Sequence, residues 1–335
     1  MPRPAVRPTV PVVAVTAGDP CGIGPEVLVK ALAPVPDTPL VILGDLRVFE
    51  QTARRLRRRL PPWDVRPVRT PWIPPRRLLF LDCGTGVDDA PGRSSASAGR
   101  ASLAYLEAAV ALQRRGAVDA LVTAPITKWA IQRIRPGFVG QTEYLAEAMG
   151  AREVVMMFVS DRLRVALVTR HLPLARVPSA VTARLLRASL RLTADALRRQ
   201  FRIPHPRLVL CGLNPHAGEG KPASEEQHLM RPVLRALARE GLRCDGPVAA
   251  DGFFAAGHAY DAVVCLYHDQ GLIPFKLLAR DRGCQLSVGL PVPRTSPDHG
   301  SALDIAGRGI ANAGSMRYAL RLALRLARDA HRPRA

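Results

Sequence analysis

The strongest constraint on this chain is an alternation. Short apolar, often β-branched runs are separated by longer stretches of helical periodicity. Val10–Val15, Leu40–Leu43, Leu78–Leu81, Ala120–Thr123, Val154–Val159, Leu163–Val168, Arg207–Cys211, Ala262–Tyr267 and Gln285–Val288 read as buried strands. Pro25–Leu32, Ser97–Arg115, Pro178–Arg199, Glu225–Glu240 and Ala313–Arg328 read as helices. Buried strands alternating with helices predict an α/β fold around a largely parallel sheet. Arg57–Pro75, with six prolines and no clean period, and Asp88–Gly99, rich in Gly, Ser and Ala, read as surface connections. Ala330–Ala335 reads as a frayed tail.

At 335 residues the chain is long enough for two domains, and 47% hydrophobic with 23% charged residues excludes a disordered or collagen-like protein. No apolar run approaches the roughly 20 residues of a membrane helix. Val10–Val15 is short and runs directly into Thr16-Ala17-Gly18-Asp19-Pro20, which suits a first strand better than a signal peptide. Six cysteines without a CxxC pair read as reduced thiols in a cytoplasm. A net charge of +20 raises nucleic acid as a partner. The cations, however, are spread along the chain, on stretches such as Arg54–Arg59, Arg184–Arg199 and Arg317–Arg328, and aromatics are only 5%. That pattern describes solvated helix faces rather than a base-stacking groove. Among 48 Lys and Arg residues only Lys30, Lys128, Lys221 and Lys276 are lysine. A lysine that survives such an arginine bias marks a place where a compact ammonium is needed, or chance.

Glycines and histidines follow the strands. Gly18-Asp19-Pro20-Cys21-Gly22-Ile23-Gly24-Pro25-Glu26 leaves the first strand and opens a helix, with Pro25 in its first turn. Neither GxGxxG nor GxxxxGK[ST] is present. His171, His216 and His268 each follow the carboxyl end of an expected strand, the edge at which open α/β sheets bind ligands. Three imidazoles so placed suit a divalent metal acting as a Lewis acid, or serve as hydrogen-bonded structural residues. His205 lies between prolines, His228 and His258 read as helical or loop surface, and His331 belongs to the tail. Lys276 and Arg294 are cations suited to an anionic substrate group, or simply surface charges. Asp251, among small and apolar residues, reads as an acid–base group or as a helix cap.

Six motifs carry a family resemblance: Val15-Thr-Ala-Gly-Asp-Pro-Cys-Gly-Ile-Gly-Pro-Glu26, Gly140-Gln-Thr-Glu-Tyr144, Thr169-Arg-His-Leu-Pro173, Cys211-Gly-Leu-Asn-Pro-His-Ala-Gly-Glu-Gly220, Tyr267-His-Asp-Gln-Gly-Leu272 and Arg294-Thr-Ser-Pro-Asp-His-Gly300. They resemble the 4-hydroxythreonine-4-phosphate dehydrogenase family of pyridoxal phosphate biosynthesis, in order from about Val10 to Arg328. His299–Asn312 is also similar to the adenine-binding loop of the isocitrate/isopropylmalate dehydrogenase superfamily. The resemblance implies two α/β/α domains with an active-site cleft between them. The first would hold residues 1–127 and 303–335, and the second 128–302, the metal histidines and a dimer interface. It implies one divalent metal (Zn, Mg or Co) on His171, His216 and His268, in a homodimer whose metal site is completed across the subunit interface. It implies substrate binding by Gln141, Thr142, Lys276, Gln285 and Arg294, and NAD or NADP binding by His299, Gly300, Ser301, Ala302, Asp304 and Asn312. A carboxylate at 304 would repel a 2′-phosphate and favour NAD.

The sequence departs from the family pattern at Gln141, where histidine is usual, at Gln285, where asparagine is common, and in a loop after Gly220 that is one residue short. The expected reaction is metal-dependent oxidation of a secondary alcohol followed by decarboxylation, with Asp251 and Asp269 handling protons or orienting imidazoles. The expected substrate is 4-hydroxythreonine 4-phosphate. The two glutamines leave open a phosphorylated aldonate such as 4-phospho-threonate or 4-phospho-erythronate, or a cyclic dihydrodiol carboxylate. A basic nucleic-acid-binding protein without catalysis is the alternative of another class.

Overall fold

A computed structural model describes residues 10–256 and 259–331, which leaves His258 and residues 332–335 of the expected tail outside the described part. The chain folds as two compact units, one running through Arg152 and resuming at Leu290, the other spanning Glu153–Gly289. The first unit opens with β1 (Val13–Thr16), α1 (Gly24–Ala31), β2 (Leu40–Gly44), α2 (Leu46–Arg55), β3 (Asp64–Pro67), β4 (Leu78–Asp82), α3 (Ala96–Arg114), β5 (Ala120–Thr123), α4 (Lys128–Gln132) and α5 (Gln141–Ala148). The second contains β6 (Val155–Ser160), β7 (Arg164–Leu167), α6 (Val177–Ala180), α7 (Ala183–Arg199), β8 (Leu208–Cys211), α8 (Arg231–Arg239), β9 (Cys244–Val248), α9 (Ala250–Ala255), β10 (Ala262–Cys265), α10 (His268–Ala279) and β11 (Gly283–Val288). The chain then returns to the first unit as β12 (Arg294–Ser296) and α11 (Gly314–His331).

In the first unit the strands run β3-β4-β2-β1-β5-β12, all parallel. Val13, Val15, Leu40, Ile42 and Leu121 are fully buried in it, because helices cover the strands: α3 packs on β1 and β2, and α11 on β5 and β12. The proline-rich stretch is not only a connection. Its Asp64–Pro67 forms the edge strand β3, where a proline is tolerated, and Trp63 packs on Phe49 and Phe80 with centroids 5.8 and 4.8 Å away.

In the second unit the order is β11-β6-β7-β10-β8-β9. The sheet is again largely parallel, as expected, with one exception: β6 runs antiparallel to both β7 and β11. The β6–β7 turn is closed by Ser160, whose Oγ accepts from the amides of Arg162 and Leu163 at 3.3 and 3.0 Å. Phe158, Val165, Val209, Val263, Leu272 and Phe275 form the core beside it.

The boundaries between units differ from the expected 127/128 and 302/303. Helix α4 packs on α3, and β12 continues the first sheet by pairing Arg294 with Leu121 and Thr295 with Val122. Two expected helices are interrupted. Pro178–Arg199 breaks before Thr182, whose Oγ1 caps α7 by accepting from the Leu185 amide at 3.2 Å. Glu225–Glu240 begins as a π-turn, Glu226–Met230, before α8. Asp88–Gly99 runs into α3 from Ala96, capped by Ser95. His331 ends α11 rather than lying in a frayed tail, and its Nε2 is 2.7 Å from Asp119 Oδ1. No described helix is long and apolar enough to cross a membrane.

Candidate active site

In the first unit the chain leaves β1 for β2 on one side and later crosses from β4 to β5 on the other side of β1, so a topological switch point lies at the carboxyl ends of β1 and β5. The glycine turn sits there. Gly18 has φ +73°, and a Cβ on it would stand 2.3 Å from Pro125 O. The Asp19 amide donates to the same carbonyl at 2.8 Å. Asp19 itself is buried and accepts from Cys21 N at 2.9 Å and Ser94 Oγ at 2.7 Å. Ile23 N donates to Ser301 O at 2.9 Å, and Thr127 Oγ1 to Ser301 Oγ at 2.9 Å. Three segments far apart in sequence, 17–24, 124–127 and 299–302, thus meet at one sheet edge. A Cβ on Gly22 would stand 2.9 Å from Ser301 O, so only glycine allows this approach.

The residues expected to hold the cofactor lie on this side of the first unit. Ala302 adopts φ +40°. His299 Nδ1 is 3.0 Å from Gly300 O, while its Nε2 is buried without a hydrogen-bond partner among the described residues. Asn312 Oδ1 accepts from Gly314 N at 2.7 Å, and Asp304 is exposed. A pair that sequence reasoning missed fixes the run between them. Buried Glu26 accepts from the amides of Gly309 and Ala311 at 3.2 and 2.8 Å, while Lys30 Nζ donates to Glu26 and to the carbonyls of the same two residues at 2.7–2.9 Å.

Gln141, Thr142 and Arg294 also converge within the first unit. Arg294 is 2% exposed; its Nε donates to Thr123 Oγ1 at 2.9 Å and its Nη1 to Thr142 Oγ1 at 3.3 Å. Gln141 and Thr142 are the first residues of α5, whose amino end favours anions. Gln141 Nε2 donates to Ala124 O at 3.1 Å, leaving a buried Oε1 with no partner among the described residues. Lys128 lies beside this helix start, its Nζ 3.7 Å from where a Gly140 Cβ would stand. Glu143 Oε2 comes within 2.9 Å of the same point. A buried guanidinium, hydroxyls and a helix start form a set suited to a phosphate or carboxylate.

In the second unit the three histidines follow β7, β8 and β10, adjacent and parallel with β10 in the middle. His171 and His268 come together, with ring centroids 5.8 Å apart. His268 is the first residue of α10 rather than the end of a strand, and its Nδ1 donates to Asp269 Oδ1 at 2.6 Å. A carboxylate on one ring nitrogen fixes the tautomer that leaves Nε2 for a metal. His216 stands on the turn after β8 and, like His171, has positive φ. Among the described residues of a single copy, no three His, Cys, Asp or Glu side chains are gathered as a finished metal site. The loops themselves are tied together. Thr169 N and Oγ1 donate to Leu266 O at 3.1 and 2.6 Å, Leu266 N donates to Gln270 Oε1 at 2.7 Å, and Gln270 Nε2 donates to Gly212 O at 2.6 Å. Gln270 is thus a connecting residue that no sequence argument singled out, although it stands beside His268 and Asp269. Lys276 is exposed on α10, and buried Gln285 donates from Nε2 to Ser287 Oγ at 3.0 Å. Asp251 is an exposed residue in the first turn of α9 rather than its cap; exposed His205 and His228 lie outside this arrangement.

Comparison with known proteins identifies the family. The family model described as pyridoxal phosphate biosynthetic protein PdxA matches residues 36–323. A 4-hydroxythreonine-4-phosphate dehydrogenase of Methylorubrum extorquens strain PA1 is 44% identical, covering 96% of this chain and 95% of that protein. The crystal structure of the enzyme of that name from Klebsiella pneumoniae superposes with a TM-score of 0.83 at 32% identity, covering 95% and 98% of the two chains. A terephthalate 1,2-cis-dihydrodiol dehydrogenase from Burkholderia xenovorans LB400 gives 0.64, also at 32% identity, over 93% and 97%. With its glycine turn, its strand-end histidines and these matches over nearly its whole length, the chain belongs to the PdxA family of 4-hydroxythreonine-4-phosphate dehydrogenases.

Proposed function

We propose that the protein oxidises the secondary alcohol of 4-hydroxythreonine 4-phosphate with NAD, and that the resulting β-keto acid loses CO₂ to give 3-amino-2-oxopropyl phosphate. The observation that carries this reading is the His171–His268 pair beside the His216 turn, at the ends of three neighbouring parallel strands, with His268 oriented by Asp269. Three imidazoles are a donor set that suits Zn or Co better than Mg, which prefers oxygen ligands, and the third corner of the site would be supplied across a homodimer. When bound, the metal supplies Lewis-acid polarisation of the substrate oxygens. His171, His216 and His268 would hold it. Asp269 would keep the His268 tautomer and Asp251 would take the hydroxyl proton, and a bound nicotinamide would supply the hydride acceptor.

Arg294, Thr142 and Gln141 bind the anionic end of the substrate, supported by their convergence at the start of α5. Lys276 and Gln285 are further substrate-binding residues of the second unit. His299, Gly300, Ser301, Ala302, Asp304 and Asn312 bind the cofactor. The fit rests on the glycine-lined approach of Ser301 to the 18–24 turn and on the unsatisfied His299 Nε2. Exposed Asp304 disfavours a 2′-phosphate, which selects NAD over NADP. The protein works in the cytoplasm, consistent with six free thiols. The dimer forms through the apolar face of α10, where Ile273, Leu277 and Leu278 are exposed among the described residues.

The test is NADH formation with 4-hydroxythreonine 4-phosphate, 4-phospho-threonate, 4-phospho-erythronate and a dihydrodiol carboxylate, each with and without added divalent metal. Preference for the first, lost on chelation, is expected. The uncharged Gln141 and the likeness to a dihydrodiol dehydrogenase favour a second reading, the same chemistry on another hydroxy acid. Higher kcat/KM on any of the other three substrates would select it. Steeply salt-dependent DNA binding without any turnover would replace both readings.

A further inference from the structure

The turn after β8 has a backbone that its sequence does not favour. His216, Ala217, Gly218 and Glu219 are successive left-handed residues, with φ of 53°, 51°, 75° and 49°, and Gly220 follows at 73°. Non-glycine side chains are disfavoured in that region, so three of them need an external hold.

Glu226, in the π-turn before α8, provides one. It is completely buried, and it is the only buried acidic residue among the described residues of the second unit. Its Oε1 accepts from the backbone amides of Leu213 and Asn214 at 2.7 and 2.8 Å, and its Oε2 from Asn214 Nδ2 at 3.0 Å. The same Asn214 amide group donates to Glu225 Oε2 at 2.8 Å. The carboxylate occupies space that glycines leave open. A Cβ on Gly218 would stand 2.5 Å from Oε2, and one on Gly212 3.1 Å from Oε1. A Gly212 Cβ would also stand 2.9 Å from the Ala217 Cα, so the left-handed turn folds back directly over this carboxylate. Burying a charge is costly unless it is fully hydrogen-bonded, and an uncharged side chain of the same volume would serve packing alone.

We propose that Glu226 is a positioning residue for the metal centre: its carboxylate locks the 213–220 turn and so fixes the direction in which His216 presents its imidazole. This rests on His216 being a metal ligand. The experiment titrates Co²⁺ into the full-length metal-free protein and its Glu226→Gln, Asn214→Ala and His216→Ala variants. Binding is followed by calorimetry and the Co²⁺ absorption spectrum, alongside thermal unfolding without metal. Glu226→Gln is expected to weaken Co²⁺ binding about 10- to 100-fold and to alter the spectrum at saturation, as losses of outer partners of metal ligands do. Asn214→Ala should move both in the same direction by less, and it carries the test if Glu226→Gln does not fold. Wild-type Co²⁺ affinity and spectrum in both variants, whatever their melting temperatures, would overturn the proposal while leaving His216 as a ligand if His216→Ala alone loses binding. Undiminished binding by His216→Ala would remove the metal assignment, and the proposal with it.

Discussion

Lys30 is one of four lysines among 48 cationic side chains, and its surroundings explain why a compact ammonium stands there. It points three donors at Glu26 and two backbone carbonyls of the 309–311 run, a convergence that a planar guanidinium cannot reproduce. Lys30→Met leaves a buried carboxylate and two carbonyls without their partner. It should lower unfolding free energy by about 1–3 kcal/mol, with Lys30→Arg recovering only part of this. Urea denaturation of the three proteins measures it, and equal midpoints would deny the clamp any importance. The thiols give a second test. Burial, reinforced by the carboxylates of Asp19 and Asp89, pushes Cys21 up to about 12, and burial with Asp45 and Asp82 does the same to Cys83. A raised pKa keeps a thiol protonated below it, so at about pH 8 both should resist iodoacetamide until the protein is unfolded. Rapid alkylation of the native protein at either position, read by peptide mass spectrometry, would contradict this.

At the level of elements, strand ends do the positioning. The turn after β1 exists only because Gly18 accepts a positive φ while approaching Pro125 O. Gly18→Ala must shift backbone rather than a flexible side-chain tip. We expect a loss on the order of 2 kcal/mol in stability, within the range of strained-backbone substitutions, and a matching loss of NAD binding. A melting curve and NAD affinity equal to wild type would show that the turn tolerates the change. This turn was visible in sequence as glycines and a proline at a strand-to-helix junction. Its partners at 124–127 and 301 were not, because nothing local encodes a contact across more than 100 residues. The same holds for Gln270. Its neighbours His268 and Asp269 stand out chemically, whereas a glutamine becomes informative only when its two ends are seen joining Leu266 to Gly212.

For the whole molecule, the arginine excess settles on exposed helix faces. On α7, Arg187 and Arg191 share Glu240, and Arg184 pairs with Glu153, while Leu186, Leu190, Ala194 and Leu197 face inward. Such exposed pairs contribute little to stability, so the bias can accumulate without altering the fold. The apolar residues left outside are more telling. Leu277 is 74% exposed on the same helix that begins with His268. If α10 is the dimer surface, Leu277→Glu should shift sedimentation from dimer to monomer and lower turnover at dilute concentration. A wild-type sedimentation profile in that variant would place the interface elsewhere.

Sequence by itself determined the α/β alternation, nine of the twelve described strands, and the histidines and glycines at their ends, because burial periodicity and turn chemistry are local properties. Tertiary structure decided what locality cannot encode. It reversed β6 against its neighbours, drew β12 back to β5 and made an edge strand from a proline-rich stretch. It also set the His216 turn over a buried Glu226. Each of these depends on which surfaces meet after the chain has closed on itself, and a contact energy between distant residues has no signature in the run of residues around either one.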